Sequence, residues 1–151
     1  MTSFDSVALQ GIARPDYADV ALVAVPEGAA TDSRRWAEAV FDVRSMPRWV
    51  VVLLGLRQVA VRLIGLAPAP RDVFDVRAVQ DGEALISFDD RHLDFRVGVG
   101  VDPTRHLLRV VTVVRLRGWR GRVYRAPVSL LHPVVVRAMM RGALRTMARA
   151  G

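Results

Sequence analysis

Between Val73 and Leu116 apolar side chains recur at alternate positions, and this alternation constrains the fold more than any other feature. Phe74, Val76 and Ala78 alternate with Asp75 and Arg77, and Ala84, Ile86 and Phe88 follow. Leu93, Phe95, Val97 and Val99 alternate with His92, Asp94 and Arg96; Leu108, Val110, Val114 and Leu116 face away from Arg109, Arg115 and Arg117. Successive side chains on a strand point to opposite faces, so the pattern predicts strands with one buried face. Asp81-Gly82, a strong hairpin signal, and Asp102-Pro103 mark turns. Gly118 to Gly121 reads as another, followed by a last short strand over Arg122 to Ala126. The result is an antiparallel meander whose apolar face needs a cover.

The cover is expected from the C-terminus. From about Pro133, the residues Val136, Met139, Met140, Ala143 and Met147 fall on one side of a helix, with Arg137, Arg141, Arg145 and Arg149 opposite. Ahead of the meander, residues 1–16 read as an irregular lead-in and Tyr17 to Val25 as a strand ended by Pro26. Thr31, Asp32 or Ser33 can cap a helix through Asp42 that buries Trp36, Ala37, Val40 and Phe41. Ser45 and Pro47 start a second helix, running to about Ile64 and ended by Gly65, before a loop from Pro68 to Pro70. Its nearly all-round apolar character before Arg57 implies deep burial or a partner interface.

At 151 residues, 52% of them apolar, the chain suits one domain spanning 1–151 that buries a core without staples. It has no cysteine, which excludes disulfides, a thiolate nucleophile and cysteine-bound metal. Its 22 basic residues are all arginine, which excludes a lysine Schiff base and a Walker-type phosphate loop. The net charge of +7 is uneven: after Asp102 there is no acidic residue at all. Such a surface could meet a polyanion or an anionic membrane, but no nucleic-acid reader motif accompanies it. No basic segment precedes an apolar stretch at the N-terminus, and Arg57 and Arg62 interrupt the longest apolar run, so a cytoplasmic protein without a membrane span is expected.

The order strand, two helices, meander, long helix resembles the helix-grip fold of the Bet v 1, START and polyketide-cyclase superfamily. More closely, the chain resembles the bacterial family named domain of unknown function 2867. The residues carrying that resemblance are Asp16-Tyr17-Ala18-Asp19, Trp36 with Phe41, Pro47 with Trp49, Leu53 to Arg57 and Gly65-Leu66. Asp89 to Arg96, Tyr124 and His132-Pro133 complete the set. The resemblance implies an α+β helix-grip fold, an antiparallel meander wrapped on the long C-terminal helix. It also implies a sheet–helix cavity for a hydrophobic small molecule and, in some relatives, a nucleotide-binding reductase domain as partner.

Among polar residues, His92, Asp94 and Arg96 project from one side of a strand. They form either a solvated charge ladder or a polar cluster in which Asp94 orients His92 for proton transfer while Arg96 holds an anionic group. Tyr124 would add a hydroxyl to that chemistry. Asp90 belongs to a turn or to the same cluster, and Thr112 stands alone among apolar neighbours as a polar contact inside a pocket. His132 either ends the loop into the last helix or, at a helix N-terminus that favours anions, contacts a ligand, and Met139 and Met140 offer an adaptable lining or ordinary core. His92 and Asp94 are too few for a metal site, and Gly98 and Gly100 do not complete a dinucleotide fingerprint, so neither metal nor cofactor is expected. The leading expectation is a binder of a hydrophobic small molecule, with proton-transfer chemistry (hydrolysis, cyclisation or isomerisation) as its catalytic form. The alternative is an oligomeric or accessory module, such as a homodimer, joined through the apolar second helix.

Overall fold

The computed structural model describes residues 5–63, 65, 70 and 72–150, with Tyr124 described by its backbone alone. The elements in chain order are α1 (Val7–Gln10), β1 (Tyr17–Ala24), α2 (Ser33–Phe41), α3 (Arg48–Leu63), β2 (Ala78–Gln80), β3 (Glu83–Asp89), β4 (Leu93–Asp102), β5 (Leu107–Leu116) and α4 (Gly118–Arg149). The strands form one antiparallel sheet in the order β1-β5-β4-β3-β2. The long helix α4 and α2 pack on one face and α1 on the other, a helix-grip-like α+β arrangement.

Local chemistry accounts for the elements. Asp32 caps α2, its carboxylate accepting from the amides of Arg34 and Arg35. Asp81 and Gly82 both take positive φ, 53° and 75°, as a tight two-residue hairpin requires. Asp16 fixes the start of β1 against the end of β5, its Oδ2 accepting from the Leu116 amide at 2.7 Å. Trp36 is 1% exposed and donates its indole N–H to the Ala30 carbonyl. The core joins it to Val40, Ala21, Val110, Val99, Ile86 and the α4 side chains Val136, Met139, Met140 and Ala143. On that helix Arg137, Arg141, Arg145 and Arg149 are exposed, as the pattern predicts.

Four expectations are corrected. The lead-in holds the short helix α1, which buries Ala8, with Ile12 just beyond it, against Val111 and Val113 on the far face of β5. Ser6 caps α1 and donates to Glu83 at 2.6 Å, while the Val7 amide donates to the other Glu83 oxygen at 3.0 Å. The strand expected from Val73 begins only at Ala78, as an exposed edge strand, and Phe74 instead stacks on Phe41 from a turn. The last short strand over Arg122 to Ala126 does not form. Nor does α4 begin at Pro133: Gly118, at φ +77°, ends the sheet and the helix runs unbroken from there. Pro127 and Pro133 each remove one amide donor without ending it, because the helix there lies largely toward solvent, where water can satisfy the freed carbonyls. Ile64, Leu66 and the start of the loop from Pro68 lie outside the described residues.

Gly98, one of the two glycines resembling a fingerprint, has a packing role. A Cβ there would run into the Glu83 carboxylate, which is buried and held by Ser6 and Val7. Gly98→Ala is therefore expected to lower stability by about 1–3 kcal/mol in urea denaturation. An unchanged midpoint would show that Glu83 does not anchor α1 on the sheet.

Candidate functional site

Cross-strand register sorts the helix-side face of the sheet into rows. The row Ala21, Val110, Val99, Ala84 is wholly buried. In the next row Asp19 is partly exposed, while Thr112, Val97 and Ile86 are buried. In the last full row Tyr17, Val114, Phe95 and Phe88 are all only partly buried. Beyond the sealed row Leu108 is buried but Val23 and Val101 are only partly buried, so the core is complete in its middle rows and thins toward both ends of the sheet, and the Tyr17 row is the one thinned on all four strands. At about 4.8 Å per strand, that open row spans about 14 Å.

Each end of this open region has its own chemistry. Toward β3, Phe88 lies against Phe95 with ring centroids 5.9 Å apart, Phe74 against Phe95 at 6.2 Å, and Phe41 stacks on Phe74 at 4.9 Å. Toward β1, α4 delivers His132 onto Tyr17 and Asp19. The Nδ1 of His132 lies 3.4 Å from the Tyr17 hydroxyl and 3.6 Å from Asp19 Oδ2, and the Tyr17 and His132 rings meet edge-on. Tyr17 and Asp19 sit two apart on one face of β1, with the buried Thr112 opposite Asp19 on β5.

Burial lowers the His132 pKa from the ordinary histidine value, with the Asp19 carboxylate opposing that shift by attraction and hydrogen bonding. The Tyr17 hydroxyl is pushed up, first by burial and then by the negative charge of Asp19. Near neutral pH the cluster therefore holds a neutral imidazole and a protonated phenol. A proton on Nδ1 is drawn toward Asp19, and without one Nδ1 accepts from Tyr17. Such a cluster can bind a polar group or relay a proton.

The opposite face of the sheet carries Asp94 and Arg96, away from Thr112, His132 and the methionines. A cleft of about 710 Å³ opens there between the segment Gly11–Ala13 and the charged side chains of Asp89, Asp90, Arg91, Asp94, Arg96, Arg115 and Arg117. Two ion pairs occupy part of its lining, while Asp94 Oδ1 is buried without a hydrogen-bond partner. Arg96 grips both Asp89 oxygens, at 2.5 and 3.0 Å, and Arg117 donates to Asp94 Oδ2 at 2.6 Å. That bond to Arg96 holds the Asp89 carboxyl below its ordinary pKa. Asp90 turns the chain, accepting from the Arg91 amide. His92 contributes its carbonyl, which accepts from the Arg117 amide at 2.7 Å, and its ring does not line the cleft. The structure thus brings Asp94 and Arg96 together, pairs Asp94 with arginine, and places His132 and Thr112 together on the other side. Met139 and Met140 are buried in one apolar cluster with Val110 and Ile86. The side chain of Tyr124 lies outside what is described.

Sequence reasoning did not single out Tyr17 and Asp19 as site residues. The available signal was a tyrosine and an aspartate two apart on the same strand face as Ala21 and Val23.

Fold and site together define an α+β sheet-and-helix protein with a polar cluster at one end of its core. The chain belongs to the family described as "Protein of unknown function (DUF2867)", whose model matches residues 12–139. No curated protein and no solved structure matches it. The matched region includes Tyr17, Asp19 and His132.

Because folding depresses the His132 pKa, the unfolded chain takes up that proton more readily. Its contribution to stability is intact above about pH 6.5 and is lost as pH falls below that value. The ring should titrate below about 6.5 by NMR, and His132→Gln should remove this part of the pH dependence. A midpoint at or above the ordinary value would contradict the burial.

Proposed function

We propose that the protein binds a small, largely apolar molecule on the helix side of the sheet. Its body would lie along Val114 and Phe95 toward the phenylalanine group, and its single polar end would meet Tyr17, Asp19 and His132. The observation that carries this reading is the graded burial of the sheet's rows. A face that is sealed at Ala21–Val110–Val99–Ala84 and partly open at Tyr17–Val114–Phe95–Phe88 offers an apolar floor with one polar terminus. The closed packing of Met139 and Met140 confines the ligand to that end. A protonated Tyr17 donates a hydrogen bond, Asp19 accepts one, and His132 does either according to its tautomer.

The same three groups favour a catalytic form of this reading. A neutral imidazole backed by a carboxylate accepts a proton from a bound molecule, and the adjacent phenol stabilises the resulting charge by hydrogen bonding. Proton transfer within an isomerisation, cyclisation or hydrolysis fits this arrangement, with His132 as the base and Asp19 and Tyr17 as its partners.

Native mass spectrometry of freshly purified protein, followed by titration of the co-purifying molecule, tests the site. Tyr17→Phe and His132→Gln should each weaken binding by about tenfold, the loss expected for one buried hydrogen bond. Asp94→Asn, on the opposite face, should leave affinity unchanged. The reverse ordering would move the ligand to the charged cleft.

A further inference from the structure

The two long helices carry an exposed apolar surface for which the core has no use. On α3, Trp49, Val52, Leu56, Val59 and Leu63 recur three and four residues apart, opposite the buried Val50 and Val61. All five are exposed, Leu63 by 83%. On the first half of α4, Trp119, Val123, Leu130 and Val134 form a second stripe, away from the side where Gly121 and His132 meet the sheet. Leu130 is 77% exposed. The helices run antiparallel and meet closely only where α3 begins: Gly142 of α4 lies against the Ser45 carbonyl ahead of α3, and at the far end the Arg120 guanidinium reaches Gly65 beyond α3. Each helix thus leaves an apolar stripe uncovered, and exposed apolar surface on this scale marks an interaction site.

Charge selects the occupant. Neither helix contains an aspartate or glutamate, whereas α3 exposes Arg48 and Arg62 and α4 has seven arginines. Arg120 lies over the Trp119 ring, 5.5 Å from its centroid. Along the outer stripe of α4 the apolar residues give way after Val134 to Arg137 and Arg141. A second copy of the same face would bring arginine against arginine with no carboxylate to pair them. Tryptophan, leucine and exposed arginine on these helices instead match the interface of a membrane rich in anionic lipid. No helix among the described residues is long and apolar enough to cross a membrane, so the contact would be peripheral.

We infer that α3 and the first half of α4 dock the protein on an anionic phospholipid surface, with the apolar stripes entering the headgroup boundary and the arginines meeting lipid phosphates. The inference does not depend on the proposed ligand site, which lies on the sheet side of α4.

Sedimentation with vesicles of phosphatidylcholine, alone or mixed with phosphatidylglycerol, tests it at low salt. The mixed vesicles should bind the protein at least about tenfold more tightly. Tryptophan emission should shift to the blue on binding, through the exposed Trp49 and Trp119 rather than the buried Trp36. The double variant Leu56→Glu, Leu130→Glu, verified as folded by circular dichroism, should lose about tenfold or more of that affinity. Failure to bind the mixed vesicles overturns the inference, as does undiminished binding by the folded variant, which would leave arginine attraction alone. A dimer in native mass spectrometry that the same variant dissociates would also overturn it, because a second copy would then cover the face.

Discussion

Everything described here depends on how α4 is seated on β1 and β5. The side chains of Val136, Met139, Met140 and Ala143 share one buried cluster with Ala21, Leu108 and Val110, and this seam fixes the rotation and height of the helix. One turn earlier on the same face, that rotation points His132 at Tyr17 and Asp19. Each buried aliphatic or methionine side chain in such a seam contributes about 1.5–3 kcal/mol. Ordinary core packing can therefore hold three polar groups together whose own attractions are weak.

The close approach at Gly142 belongs to the same seam. A side chain there would strike the Ser45 carbonyl, so the missing Cβ lets the start of α3 lie against α4 and lets Met46 and Val50 join the core. Beyond that point α3 has few neighbours and its apolar residues turn outward. The two faces of the sheet differ in kind. One combines an aromatic floor with a neutral histidine and a protonated phenol; the other carries arginine and aspartate already joined in pairs. A ligand on the first face meets neutral donors and acceptors, whereas one on the second lies beside two ion pairs.

Much of the fold is legible in the sequence because its signals are local. Period-two alternation marks β3, β4 and β5, Asp81-Gly82 marks the hairpin from β2 to β3, Asp32 marks the start of α2, and the methionine face marks the second half of α4. The first half of α4 is misread because Gly118, Pro127 and Pro133 act as breakers in isolation, and five residues of chance alternation mimic a strand. α1 is too short for any periodicity, and what holds it is a carboxylate 76 residues away. The site is less legible for a similar reason. Thr112 and His132 attract attention individually, but Tyr17 acquires its meaning only when a residue 115 positions later arrives beside it. His92, Asp94 and Arg96 satisfy a rule about strand faces, but that rule does not say which face the helix covers.

The most direct measurement is a double-mutant cycle between Asp19→Asn and His132→Gln, read by urea denaturation at neutral pH. If the seam brings these side chains into one cluster, their effects should be non-additive, with a coupling of about 0.5–3 kcal/mol. Strict additivity would mean that β1 and α4 do not share a site, and the proposed function on that face would fall with it.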